Sequence, residues 1–594
     1  MPDPASLPPE LFGMILHEVI RQNRDNHGSP EKRFDPALLP LEIPSKDLDA
    51  AVRRLPDARS EERQLSDLCR VGKQWRDLVQ PTLYETFTYR GERQSLRNLW
   101  LYLRTILSRP ELASCVKHLE IRAWGCWVIP SDVEKPENQL TLSQAERVVL
   151  KAAIGDAGFN EKDEFNMFWA IEKNADRTPL MAILLTRLPN VESIQAHVPA
   201  WCYYLSEIFK KAIEKEEGTT NRSPRYRAFQ KLSRAEFFCE GYHCNDTGHP
   251  WERYYDLNLD YLWPVFYLPQ LKVLGLYDLN PRGAAAIFDK NARQISPVVD
   301  LTIVLDHPLS EENDDLWTLL DLPETLDTLR LSVMKTLETD PVTTLKRKLW
   351  PSLDRFKDQL FHLDLHEHVN EFWCPPPIGA FGEEEEEQDD YDDDDDDSYD
   401  SYQEEKEKVE KKPVYCCPLR SFLSLKHLAV VPDLLLGDQY KHQKLTTGYL
   451  RAHLPNRLTK LTLYRSYFAN FLYHDWDTSL EVYVRRHEDE GGPMDMILIN
   501  ERFVDSEGSS MFTPYGSFEK TEKACQEQGT VFQTSAEAEH ELENGGRLTK
   551  VYTDAENIRG HFEYMTTLHR DPRAYSWSST EQGYGAMTWS TICI

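Results

Sequence analysis

The 594-residue chain has no run of 18 or more apolar residues, the length a helix needs to cross a bilayer. Its first residues lack the basic, apolar and small-residue regions of a secretory signal. No membrane partner is expected, and residence is expected to be cytoplasmic or nuclear. The eleven cysteines are an odd number and never form a C-x-x-C pair, so reduced thiols are expected. Cys239, His243, Cys244 and His249 come nearest to metal spacing, with His362, His366, His368 and Cys374 as a second group. Neither matches a zinc module, and no metal or other cofactor is expected. The Gly-x-x-x-x-Gly-Lys-Ser/Thr loop, His-Glu-x-x-His and Gly-x-Ser-x-Gly are also missing. No catalytic residue is therefore nominated, and the chain is not expected to be an enzyme. Basic residues cluster only briefly, at Lys346, Arg347 and Lys348, so nucleic acid is not expected as a partner.

What is present is length, an adequate apolar fraction and acid. The chain exceeds the roughly 250 to 300 residues at which single cores stop growing, so several units or an extended array are expected. Apolar residues make up 40% of it, enough for a large core. The net charge is −31, but fourteen acidic residues and no basic ones lie between Glu383 and Asp400, which leaves −17 for the remainder. Such a block is solvated and self-repelling. With Pro375, Pro376 and Pro377 ahead of it and Pro413 after it, 376–413 reads as an acidic disordered insertion. It serves either as a solvated loop or as a polyanion that attracts basic partners.

A phrase recurs along the body. Leu-x-x-Leu-x-Leu stands at Leu271, Leu274, Leu276; at Leu326, Leu329, Leu331; at Leu360, Leu363, Leu365; and at Leu458, Leu461, Leu463. Variants stand at Val116, Leu119, Ile121; at Val191, Ile194; at Val298, Leu301, Ile303; and at Leu425, Leu428, Val430. The last two apolar positions alternate with another residue, as a strand with one buried face requires. Central positions Leu274, Leu301, Leu329 and Leu363 are 27, 28 and 34 apart, and removing the 38 acidic-loop residues from the next gap of 65 leaves 27. Helical patterns lie between, at Leu96 to Leu107, Thr178 to Leu188 and Tyr203 to Lys215. Leu119 and Ile194 are 75 apart, which fits two long units or one with an insertion, and Phe237 marks an intervening strand. Beyond residue 470, Glu481 to Arg486 and Met494 to Asn500 read as strands and Ser535 to Asn544 as a helix. The end, from about Asp571, is expected to be poorly ordered.

The N-terminus has two apolar helical segments. LPPEL opens the first at Leu7, with Pro8 and Pro9 suited to a first turn and Leu11, Ile15 and Val19 forming one stripe. The second repeats the period at Leu65, Leu68, Val71, Trp75 and Leu78, contains Gly72 and is expected to end at Pro81. LPPEL and LCRVGKQWRDLVQPTLYE resemble the F-box, and the body resembles divergent leucine-rich-repeat F-box proteins of fungal type. The likeness covers about residues 6–470. Leu7 and Trp75 stand 68 apart, farther than in that family, because of an insertion at about 24–61, and the family's asparagine after the strand is missing.

The resemblance implies an α/β fold: a small N-terminal helical F-box-like module (1–90), then an irregular leucine-rich-repeat solenoid (91–375, resumed at 414–470), then a C-terminal extension (471–594). An amphipathic hairpin capping the chain, and a globular α/β domain with degenerate repeats, are the alternatives. The function implied is a substrate receptor of a cullin-RING ubiquitin ligase. Leu7, Pro8, Leu11, Ile15, Leu68, Val71 and Trp75 would bind the Skp-family adaptor and, through it, cullin. A repeat scaffold without a ligase role is the alternative. For the unknown protein target, the residues between the strand leucines, Arg330 and Asp364 among them, are expected on the exposed concave face, and residues two further on, such as Tyr277, His366 and Tyr464, extend it by the strand period. Tyr277, Arg330, Asp364, His366 and Tyr464 are the candidates, as tyrosine and arginine are frequent at binding hot spots.

Overall fold

The computed structural model describes residues 58–90, 95–123, 140–174, 176–199, 202–213, 228–240, 257–291, 295–308, 315–335, 341–369, 419–436, 448–464, 475–491, 494–500, 502–504, 510–512 and 518–534. Leu7, Pro8, Leu11 and Ile15, the acidic insertion, Ser535 to Asn544 and the segment from Asp571 lie outside them.

The fold is α/β. Among the described residues, thirteen strands form one open, parallel sheet: β1 (Thr86–Arg90), β2 (His118–Ala123), β3 (Ser193–Pro199), β4 (Arg234–Glu240), β5 (Leu257–Asn258), β6 (Val273–Asn280), β7 (Asp300–Pro308), β8 (Thr328–Lys335), β9 (His362–Val369), β10 (His427–Val430), β11 (Lys460–Tyr464), β12 (Met496–Asn500) and β15 (Val531–Thr534). They neighbour one another in chain order, except that β5 pairs only beside β6. A separate antiparallel hairpin joins β13 (Arg502–Val504) to β14 (Ser510–Phe512).

The apolar phrase sets the register. Phe87, Leu119, Ile194, Ala235, Leu274, Leu301, Leu329, Leu363, Leu428, Leu461, Ile497 and Phe532 are successive cross-strand partners. The residues two further on, from Tyr89 and Ile121 to Leu463 and Ile499, form a second row, and both rows pack into the core shared with the intervening helices. Period-two alternation allows only one of the sheet's two faces to carry these side chains. A slip by one residue would expose every leucine, so the register is strongly specified.

Backbone groups join successive strand entries. Before β2 to β4 and β6 to β12, one carbonyl accepts two successive amides at the strand entry: Ser233 O takes Lys272 and Val273, Lys272 O takes Val299 and Asp300, and Val299 O takes Asp327 and Thr328. The series begins at Glu85 O, passes through Asp327, Phe361, Lys426 and Thr459, and reaches Asp495 O, which accepts from Val531. These shared bonds satisfy polar groups that the turn at the strand entry would otherwise strand.

Several expectations change. β2 pairs β3 directly, so the stretch of 75 residues is one unit with an insertion, formed by the helices Gln144–Asp156 and Glu161–Asn174. Phe237 lies in β4, between β3 and β6 as expected, and Ala235 is the residue in register with Ile194 and Leu274. Glu481 to Arg486 is helical, within Trp476–Gly491, because Leu480, Tyr483 and Val484 bury at helical spacing. Gly72 interrupts the second N-terminal segment with extended backbone, leaving the helices Ala58–Val71 and Lys73–Leu83. Pro81 sits inside the latter's last turn without ending it. The sheet itself starts inside 1–90 and continues beyond residue 470.

Candidate interaction surface

The face opposite the leucine rows carries Thr88, Glu120, Gln195, Glu236, Gly275, Thr302, Arg330, Asp364, Ala429, Thr462, Leu498 and Gln533 in one cross-strand row. The sequence places Arg330 and Asp364 here correctly, and they are directly paired neighbours on β8 and β9. The expectation that the candidates stand exposed does not hold: Tyr277, Asp364 and Tyr464 are buried, and Arg330 is largely so. Neighbouring strands are only about 4.8 Å apart, so long side chains on one face cover each other and the small residues between them.

Two tyrosines do the covering. Tyr277 stacks on Phe238 of β4, with ring centroids 4.1 Å apart and planes 8° from parallel, and His197 meets the edge of Phe238 at 5.0 Å. Gly275 makes this stack fit: a Cβ there would stand 2.9 Å from Tyr277 Cε2 and 3.2 Å from Glu236 Cγ. Burial, with Glu236 next in importance, holds the Tyr277 hydroxyl well above its ordinary pKa, so it stays a donor at neutral pH. Further along, the Tyr464 hydroxyl crosses β10 to donate to Asp364 Oδ1 at 3.0 Å.

Ion pairs surround the aromatic stack. Arg234 Nη2 lies 2.6 Å from Glu236 Oε1 on the same strand, and Arg330 Nη1 donates to Asp300 Oδ1 at 2.7 Å. The result is a small apolar island of Phe238, Tyr277 and Val304, separate from the main core and rimmed by charge. A dry centre within a polar rim is how binding patches are commonly arranged. Sequence reading missed Phe238 and Glu236, although period two carries Phe238 onto the same face as Glu236. His366 pairs with Ser332 through its backbone, in the row that also contains Val304.

At the N-terminal end, Leu65, Val79 and Leu83 are buried in the core, while Leu68 and Trp75 pack against it partly exposed. Tyr84 and Phe87 stack on Tyr102 of the helix Leu96–Ser108, with centroids 6.3 and 4.1 Å away. Arg109 Nη2 donates to Gln80 Oε1 at 3.2 Å, which ties the helix Lys73–Leu83 to the end of the helix Leu96–Ser108. Val71 does not join this packing and is 65% exposed.

Among the described residues, no group of three or more His, Cys, Asp or Glu is placed to hold a metal ion. Burial pushes the thiols of Cys202 and Cys525 up to about 12, away from nucleophilic chemistry. No helix among the described residues is long and apolar enough to cross a membrane. No protein-family model matches the chain, and no match is found among curated proteins.

Proposed function

We propose that this chain is a substrate receptor of a cullin-RING ubiquitin ligase, an F-box module joined to an irregular leucine-rich-repeat solenoid. The observation that carries the reading is Val71. In the segment that resembles the F-box, Leu65 and Val79 are buried while Val71 is left exposed and Leu68 and Trp75 are half-covered. Val71 and the half-covered Leu68 stand one turn apart on Ala58–Val71, and neighbouring apolar side chains left outside the core are what a docking partner would cover. The ordered succession of strand and helix units supports the solenoid part, and the charge-rimmed island of Phe238 and Tyr277 supports target binding on the sheet. The receptor would supply proximity rather than bond chemistry.

The test is adaptor capture by the full chain carrying Val71→Asp, compared with Leu7→Ala/Pro8→Ala. Val71→Asp is expected to leave stability within about 0.5 kcal/mol, being exposed, and to abolish co-purification of the Skp-family adaptor. Undiminished capture by both variants would refute the docking assignment. Fourteen acidic residues between the paired strands β9 and β10 favour a second reading, a scaffold that recruits basic partners without a ligase. That reading predicts basic proteins in the wild-type pull-down, their loss on deleting 383–400, and no cullin.

A further inference from the structure

Large apolar side chains are exposed unevenly over the described residues. Five of the ten, Val148, Val149, Phe165, Trp169 and Tyr203, belong to the helical insertion between β2 and β3 or to the helix just after β3. Phe165 is 70% and Trp169 53% exposed, one helical turn apart on Glu161–Asn174, while Met167 and Ile171 of the same helix are fully buried. The inner face therefore has its partner, and the outer face presents two aromatic rings to solvent. Lys151 pairs with Glu164 at 2.9 Å and Arg147 with Glu172 at 2.6 Å, which sets the preceding helix antiparallel to this one. Val148, 59% exposed, stands between these two ion-paired positions and widens the apolar strip.

The flanking charges identify the occupant. The helix opens with Glu161, Asp163 and Glu164 in its first turn and closes with Lys173 in its last. If the helix lies antiparallel to a copy of itself about Met167, residues equidistant from Met167 meet. Phe165 of each copy then meets Trp169 of the other, Glu161 meets Lys173, and Lys162 reaches the Glu172–Arg147 pair. Aromatic contacts fall at the centre and opposite charges at both ends, the self-complementarity that a two-fold contact requires.

We propose that the outer face of Glu161–Asn174 is a homodimer contact, its partner a second copy of this chain. A strip of this size buries on the order of 1,000 Å² in total, which places it among weak, reversible contacts. It leaves the charge-rimmed island of the sheet free and does not depend on the ligase reading.

Sedimentation of the full chain tests it. The weight-average mass is expected to rise from 69.2 kDa toward twice that value between about 1 and about 100 μM. Phe165→Ser/Trp169→Ser is expected to stay at the monomer mass throughout with unchanged thermal unfolding, because both side chains are exposed. Glu161→Lys or Lys173→Glu alone is expected to weaken association roughly tenfold or more, and the two together to restore it, since each copy then offers the swapped charges to the other. A wild-type mass that stays at 69.2 kDa would overturn the proposal, as would a double swap no better than either single change.

Discussion

The Tyr464 hydroxyl donates to Asp364 Oδ1 at 3.0 Å, from β11 to β9 across the strand between them. Asp364 is only 1% exposed, and on β10 its direct neighbour is Ala429, whose small side chain leaves the crossing open. The bond ties three consecutive units together on the face away from the helices.

Tyr464→Phe removes a donor to a buried carboxylate and is expected to cost about 1–3 kcal/mol. In an Asp364→Asn background the same change should cost less, and the double-mutant cycle should give a coupling of about 0.5–3 kcal/mol. Urea denaturation measures all four proteins. Additive effects would mean that the two groups do not act together.

Gly275→Ala is expected to displace Tyr277, whose Cε2 would lie 2.9 Å from the new methyl and whose ring is held against Phe238. Forcing a group into this packing costs about 1–3 kcal/mol and should change the near-ultraviolet circular dichroism. With Tyr277→Ala already present, the added methyl should be close to neutral.

Stability in acid should depend on Glu146. Its carboxylate accepts from the Trp100 indole at 3.0 Å and from the Ser143 backbone amide and hydroxyl at 2.9 and 2.7 Å. The Trp100 bond first, and then those from Ser143, lower its pKa to about 2 against an ordinary 4.5. A lowered folded pKa stabilises above the unfolded value, and that stability is lost as pH falls from 4.5 to about 2. Linkage sets a ceiling of about 3 kcal/mol. With the side chain 24% exposed, solvent screening brings the expected contribution to about 1–2 kcal/mol. Glu146→Gln should flatten the pH dependence of the urea midpoint in this window, and a wild-type profile as flat as the variant's would count against it.

Asp477, at the start of Trp476–Gly491, accepts the Thr521 amide at 2.8 Å and the Lys520 amide at 3.2 Å, capping the helix Glu519–Gln528 from a neighbouring helix. Asp477→Ala should cost about 0.5–2 kcal/mol. Amide exchange at Lys520 and Thr521 should quicken while that of β6 to β8 stays unchanged.

Leu274, Leu301, Leu329, Leu363, Leu428 and Leu461 could be read from the sequence as one rung because period-two alternation and a near-constant spacing are local properties. They prove to be direct cross-strand partners. Helices with strong caps or a continuous stripe, such as Leu96–Ser108, were equally legible. The helix at Glu481 to Arg486 was not, since EVYVRR favours a strand locally and only the burial of Leu480, Tyr483 and Val484 against the core makes it helical. That Arg330 and Asp364 share one face follows from sequence alone. That Tyr277 folds back over Gly275 onto Phe238, and that Tyr464 spans β10 to Asp364, depended on which strands lie side by side and on how small the residues between them are. Local pattern fixes which way a side chain points along its own strand, whereas burial is decided by its neighbours, and those come from residues as far apart as Asp364 and Tyr464.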